Sequence, residues 1–243
     1  MSDQAVGPES RPRLTVIVAA FNEQDTIGNC VQQIFEVYPE GCELLVVDGG
    51  TDDTQQVVEE LTGTFGLLRY VRNHDDRGKG HAIRTGIAEA RGDVMAQIDA
   101  DLQFLPSDLP ALVAPIEEGQ ADVTLGTRFA AGSIRRAGST PTFRRWGNKF
   151  ASFYASLLYW HRMTDVQAGM KAWTRAAAEL IDIKSDNYSY EVEIPIKALR
   201  KGLRVVDVPI TTDARQGGET CVNVVFDGIA LLRDISCFRL GLK

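Results

Sequence analysis

Val94-Met95-Ala96-Gln97-Ile98-Asp99-Ala100-Asp101-Leu102-Gln103 carries an apolar strand, Val94 to Ile98, straight into two carboxylates and an amide. Ligands of parallel α/β sheets bind beyond the carboxyl ends of strands, so this end of the run is where a site is expected. Asp at alternate positions followed by Gln offers hard oxygen ligands of the kind Mg²⁺ or Mn²⁺ prefers, with coordination positions left for phosphate oxygens. An acidic turn capping the next helix is the competing reading of the same residues.

Outward from this stretch the chain repeats one pattern. Leu14–Ala20 is a short β-branched run followed by Glu23–Tyr38, in which Ile27, Val31, Ile34 and Phe35 recur at helical spacing. Glu43–Val47 leads to a helix near Thr54–Leu61, Leu67–Arg72 to one near His81–Ala90, and Val94–Ile98 to one near Leu109–Glu118. Asp122–Gly126 closes the series. Apolar strands alternating with amphipathic helices predict βαβ units, hence an α/β fold with a mainly parallel sheet flanked by helices. Beyond Arg128 come a Gly-, Ser- and Arg-rich loop (Ala130–Thr142) and a long helix (Arg144–His161). Helix Glu191–Lys201, strand Leu203–Thr211, a basic loop (Asp213–Glu219) and a final helix (Val222–Phe238) follow. The expected organisation is a tail over 1–13, one domain over 14–224 and an amphipathic helix over 225–243 packed on or beside it.

The 243 residues suffice for a large core, and 44% hydrophobic with 24% charged residues is ordinary for a globular protein. A net charge of −7, with Lys and Arg confined to a few stretches, argues against broad nucleic-acid binding. Cys30, Cys42, Cys221 and Cys237 lack paired spacing and a His cluster, which argues against zinc and suits a reducing cytosol. No leader or C-terminal anchor is read, and no run approaches the roughly 20 apolar residues of a membrane span. A cytoplasmic protein, peripheral at the cytoplasmic face of a membrane, is the expectation.

Two further strand ends carry polar loops, Ala20-Phe21-Asn22-Glu23 and Asp48-Gly49-Gly50-Thr51-Asp52-Asp53. Asp48 suits hydrogen bonds from a base or ribose, or a helix N-cap, for which Asp52 or Asp53 is the better candidate. Arg77-Gly78-Lys79-Gly80 combines permissive backbone with two cations but lacks P-loop spacing. Taken in order with Gly126-Thr127-Arg128-Phe129, these segments resemble family 2 glycosyltransferases of the GT-A fold, over about Leu14–Val224. Within that family the chain is most similar to the dolichyl- and polyprenyl-phosphate hexosyltransferases.

The resemblance implies an inverting, metal-dependent transfer of a hexose, mannose or glucose, from a nucleotide diphosphate sugar (GDP-mannose or UDP-glucose) to a polyprenyl phosphate. It assigns Asp99, Asp101 and Gln103 to Mg²⁺ or Mn²⁺ and to the donor diphosphate, and Ala20, Glu23, Asp48, Lys79, Asp99, Ala100 and Asp101 to the donor. Asp101 and Arg128 would carry the chemistry, and Arg128 with Arg144 or Arg145, Asn148 and Arg215 would meet the acceptor phosphate. Asp165, Gln167 and Gly169 match an Asp-x-x-x-Gly segment of that family.

Charge supports such an acceptor. A hydroxyl needs a carboxylate base to attack, whereas a phosphate monoester, with a second pKa of about 6, is already largely dianionic at pH 7 and needs only cations. Arg128 is also compatible with a helix cap or a pair with Asp122. Trp146, Phe150, Phe153, Leu157 and Trp160 form a stripe flanked by Arg144, Arg145, Lys149 and Arg162, which suits either the core or a membrane interface. An anchoring partner subunit is a further expectation.

The chain departs from the family at Ala20, where Pro is usual, at Gly49, where a second Asp is usual, and at Thr220-Cys221, where Ser-Lys is usual. Two rival functions keep the donor site. One is transfer to a soluble hydroxyl, with Asp186, Glu191 or Glu193 as base, and the other a non-catalytic nucleotide-sugar-binding subunit. A nucleotidyltransferase is disfavoured, because the first turn lacks a Gly-rich pyrophosphate loop.

Overall fold

The computed structural model describes residues 12–139, 142–217 and 224–241, with the side chains of Thr142, Arg144 and 224–227 left aside. The expected tail and the Thr220-Cys221 loop therefore fall outside the described residues, except for Pro12 and Arg13. The strands are β1 (Leu14–Ala20), β2 (Cys42–Asp48), β3 (Leu68–Arg72), β4 (Val94–Asp99), β5 (Val123–Thr127), β6 (Ile134–Arg135), β7 (Lys171–Thr174), β8 (Val205–Pro209) and β9 (Thr211–Thr212). The helices are α1 (Ile27–Val37), α2 (Thr54–Thr62), α3 (Lys79–Glu89), α4 (Leu109–Glu117), α5 (Thr142–Tyr159), α6 (Arg175–Ile181), α7 (Tyr190–Arg200) and α8 (Val224–Leu240).

Seven strands form one sheet in the order β3-β2-β1-β4-β7-β5-β8. All neighbours are parallel except β7, which runs antiparallel between β4 and β5. The mainly parallel sheet expected from the sequence is therefore present, and its inner strands are apolar on both faces because helices cover both. Ile27, Ile34, Val58, Leu109 and Leu112 from α1, α2 and α4 pack on one face. Ala82, Ile83, Ala177, Ile181, Tyr190 and Ile194 from α3, α6 and α7 pack on the other.

β7 and α6 are absent from the expected element list. β7 is only four residues long and begins at Lys171, a charge that reads as surface but is fully buried. It survives there because Glu191 supplies the opposite charge. Glu23–Thr26, expected inside α1, instead makes a turn in which Ile27 N donates to Glu23 O.

A third cluster joins α5, α7 and α8 through Ala151, Ala155, Val192, Ile196, Leu231, Ile235 and Phe238. The buried face of α8 is thus Leu231, Ile235 and Phe238. Ile229, by contrast, is exposed. Among the described residues no helix is long and apolar enough to cross a membrane.

Candidate active site

Parallel register brings the strand ends together. Ala20 lies opposite Asp48, and Ala19 opposite Asp99, so three polar loops leave the same edge of the sheet side by side. Gly49 N donates to Ala20 O at 3.1 Å, which ties the first two loops, and Ala20 is buried beneath them.

Asp48 is fully buried at the end of β2 and does not cap a helix. Its Oδ1 accepts from Gly50 N (2.8 Å), and its Oδ2 accepts from Tyr70 OH (2.9 Å) and from Arg72 (3.2 Å). Asp52 does the local capping instead, accepting from Thr54 N and Thr54 Oγ1 at the start of α2. Glu23 accepts a hydrogen bond from Thr26 Oγ1 at 2.7 Å, and burial raises its pKa.

In the acidic motif, Leu102 has a φ of 56°, a left-handed conformation that a branched side chain rarely adopts. Ala100 and Leu102 are buried, so packing enforces the bend, and the bend lets Gln103 N donate to Asp101 Oδ1 at 3.0 Å. Strain of this kind concentrates at functional sites. Asp101 is buried, and desolvation first, then the nearby Asp99 charge, push its pKa up. Gln103 donates through Nε2 to Ser139 O at 2.6 Å.

Each carboxylate carries a cation of the chain itself. Asp101 Oδ2 meets Arg215 Nε at 2.6 Å, and Asp99 Oδ1 meets Lys79 Nζ at 2.6 Å as an ion pair outside hydrogen-bond alignment. Gly169 is required beside them, because a Cβ there would sit 2.6 Å from Asp99 Oδ2. The loop bearing Arg215 is stitched to the motif by Gln216 N to Asp101 O (3.1 Å) and Asp213 N to Gln103 O (2.9 Å). Arg136 anchors the same loop through Asp213 at 2.7 Å.

Arg128 does not pair with Asp122, which is held by Arg204. Instead Arg128 Nε and Nη2 make a two-pronged contact with Asp165, at 2.6 and 2.8 Å, in a nearly closed environment. Its field reaches Glu191 and Asp99 as well. Arg145, on the first turn of α5, has a buried Nε without a hydrogen-bond partner among the described residues. Asn148 lies one turn further along α5, where Ser152 Oγ donates to its carbonyl at 2.8 Å. The Arg144 side chain lies outside the described residues. The structure thus places Arg215 on the acidic motif and Arg128 on Asp165.

The three carboxylates named as candidate bases are all engaged. Glu191 accepts from Tyr190 OH at 2.6 Å and pairs with Lys171 and Lys79. Glu193 accepts from the backbone of Lys184 and Ser185 and pairs with Lys197. Asp186 pairs with Arg84 and Arg77. The departure at Gly49 also has a physical account: a Cβ there would lie 2.5 Å from Asp76 Cγ, so the Asp76 side chain fills that space.

Sequence reasoning missed Asp76, the Arg128–Asp165 partnership and the Lys171–Glu191–Lys79 chain. Only long-range contact reveals them. The left-handed Leu102 carries no sequence signal at all.

Among the described residues no group of three His, Cys, Asp or Glu side chains is arranged to hold a metal ion. The residues expected from the sequence to meet one, Asp99, Asp101 and Gln103, are two neighbouring carboxylates and an amide. That matches a Mg²⁺ or Mn²⁺ held by one or two carboxylates together with substrate phosphates, and not an all-protein cage.

A strained acidic turn at the carboxyl edge of a doubly covered, mainly parallel sheet defines a GT-A architecture. Glucosyl-3-phosphoglycerate synthase from Mycobacterium tuberculosis, crystallised with Mn²⁺, UDP and phosphoglyceric acid, superposes with a TM-score of 0.70 at 21% identity, covering 96% of this chain and 78% of that one. The chain belongs to glycosyl transferase family 2, whose model matches residues 15–180. It is 28% identical over 212 residues to the low-salt glycan biosynthesis hexosyltransferase Agl6 of Haloferax volcanii, across 85% of this chain and 49% of that protein. It is 27% identical to the undecaprenyl-phosphate mannosyltransferase of Micrococcus luteus, across 95% of this chain and all of that protein. The chain therefore spans about half the length of some relatives and the full length of others.

Proposed function

We propose that this protein is an inverting hexosyltransferase that moves mannose or glucose from a nucleotide diphosphate sugar to a polyprenyl phosphate at a membrane surface. The observation that carries the reading is that Asp186, Glu191 and Glu193 are all locked in ion pairs, while the crevice is rich in cations. A hydroxyl acceptor would lack a free base among these residues, and a dianionic phosphate needs none. The similarity to an undecaprenyl-phosphate mannosyltransferase points the same way.

Asp101, with Asp99 and Gln103, would hold Mg²⁺ or Mn²⁺ against the donor diphosphate. When bound, the cation offsets charge that builds on the departing nucleoside diphosphate. Glu23, Asp48 and Ala20 frame the nucleoside end, and Lys79 adds a cation beside Asp99. Arg128, fixed by Asp165, and Arg145, whose Nε has no hydrogen-bond partner among the described residues, position the acceptor phosphate with Asn148 nearby. Arg215 joins them once it leaves Asp101. The phosphate oxygen then attacks the anomeric carbon as the bond to the diphosphate breaks, which inverts configuration without a covalent enzyme intermediate.

The α5 stripe supports a membrane setting. Phe143, Trp146, Phe150, Phe153, Leu157 and Trp160 are 56–88% exposed, with Lys149 and Arg162 beside them. Aromatic rings with flanking cations suit the interfacial region of a bilayer.

Labelled GDP-mannose and UDP-glucose, offered with short polyprenyl phosphates and Mn²⁺ or Mg²⁺, test the reading. Organic-phase product that vanishes in Asp101→Ala and falls sharply in Arg128→Ala is expected. Only water-soluble product, still dependent on Asp101, would replace it with a soluble-acceptor enzyme.

A further inference from the structure

Behind Asp99 lies a chain of alternating charges, of which the proposed chemistry uses only Lys79. Lys79 Nζ stands 2.6 Å from Asp99 Oδ1 and 3.4 Å from Glu191 Oε1. Glu191 Oε2 pairs with Lys171, which also donates to Ala168 O. Lys171 is fully buried and Glu191 nearly so, so their charges act through little water. Tyr190 OH, held by Gln97 Nε2 at 3.1 Å, donates to Glu191 Oε1, the same oxygen that faces Lys79. One ammonium is therefore shared between two carboxylates, one in the acidic motif and one in the interior.

Its division between them is set by what else Glu191 holds. Lys171 and Tyr190 occupy part of Glu191 and leave Lys79 freer to neutralise Asp99. Weakening their hold returns Lys79 to Glu191 and leaves the motif more negative. We infer that Glu191 and Lys171 are positioning residues, which set how strongly Lys79 neutralises Asp99 and thereby how tightly the Asp99–Asp101 motif binds a divalent cation. The inference rests on the reading of that motif as the cation site.

The experiment is a Mn²⁺ titration of the full chain by electron paramagnetic resonance, without donor, with thermal unfolding measured in parallel. Glu191→Gln weakens Mn²⁺ binding and Lys171→Met tightens it, each by about fivefold, the lower end of coupling between linked sites. Tyr190→Phe, a milder change, tightens it in the same sense as Lys171→Met, and the Glu191→Gln/Lys171→Met double variant falls between the singles. General loosening of the fold cannot produce shifts of opposite sign. If Glu191→Gln and Lys171→Met shift affinity in the same direction, or leave it unchanged, the inference is wrong. Asp101→Asn separates the two levels. Loss of Mn²⁺ binding there, without opposite shifts at 191 and 171, overturns this inference alone, whereas Mn²⁺ binding that survives Asp101→Asn overturns it together with the site reading.

Discussion

The Arg215 guanidinium lies on the Asp101 carboxylate, Nε to Oδ2 at 2.6 Å, so a cation from the chain occupies the oxygen proposed to face a metal ion. Arg215 also feels Asp99 and Glu23, and Asp101 also feels Asp99 and Lys79. Binding of a divalent cation and retention of this pair therefore oppose each other. Metal and donor entry would release Arg215 toward the acceptor side of the crevice.

Arg215→Gln should accordingly tighten Mn²⁺ binding to the donor-free protein while slowing sugar transfer. Arg215 is 34% exposed, so solvent screening limits the gain to about threefold to fivefold. Calorimetric Mn²⁺ titration checks the first effect and product formation the second. Unchanged Mn²⁺ affinity would mean that the pair does not compete with the metal.

At Gly49 the family's usual Asp is expected to be harmful in this chain. The new Cβ would meet Asp76, whose Oδ1 already accepts from Asn73 Nδ2 and Gly78 N. Gly49→Asp should destabilise the fold by about 1–3 kcal/mol through overpacking alone, with like-charge repulsion added. Gly49→Asp combined with Asp76→Gly should recover most of that loss in urea unfolding. Failure of the double variant to recover would show that Asp76 is not what excludes the side chain.

Legibility in the sequence followed the range of the interactions. β1 to β5 and the helices between them could be read because their apolar periodicity is local, and the three strand-end loops converge wherever such strands lie parallel. β7 could not be read, since Lys171 makes sense in the interior only beside Glu191, 20 residues away. The same holds for Arg128: its type marked it as an anion-binding candidate, but its partner Asp165 lies 37 residues on. The stripe on α5 was visible from spacing, whereas its outward orientation depends on Ala151 and Ala155 packing toward α7 and α8.

Arg128 and Asp165 form a buried pair whose halves are not separately dispensable. Asp165→Asn should cost about 3–5 kcal/mol by stranding the guanidinium, and Arg128→Met a comparable amount by stranding the carboxylate. The double variant Arg128→Met/Asp165→Leu should unfold nearer to the wild type while remaining unable to transfer sugar. Equal losses in the single and double variants in urea unfolding would rule out this coupling.

Asp207 gives a pH signature distant from the acidic motif. Its Oδ2 accepts from Thr164 N at 2.7 Å and Thr164 Oγ1 at 2.6 Å, yet burial outweighs these bonds and raises its pKa. A raised folded-state pKa means that the ionised form is disfavoured by the fold, so this residue subtracts stability at high pH and subtracts less as pH falls through that pKa. Asp207→Asn, which keeps an acceptor oxygen for Thr164, should raise the melting temperature at pH 8. The advantage should shrink as pH falls, and an advantage independent of pH would contradict the assignment.

Trp146 on α5 and Trp160 just past its end are the most informative positions of the stripe, because both are more than 70% exposed and neither supports the α5–α7–α8 core. If the stripe meets a bilayer, each ring leaves water on binding, and removing one should weaken partitioning by about tenfold, or about 1.5 kcal/mol. The same change should leave the melting temperature within about 2 °C, since exposed side chains contribute little to folding. Co-sedimentation of Trp146→Ala and Trp160→Ala with vesicles containing anionic lipid measures the first effect. High salt should weaken wild-type binding as well, because Lys149 and Arg162 supply a screened attraction beside the rings. Full retention of vesicle binding in the Trp146→Ala/Trp160→Ala double variant would move the membrane contact away from α5.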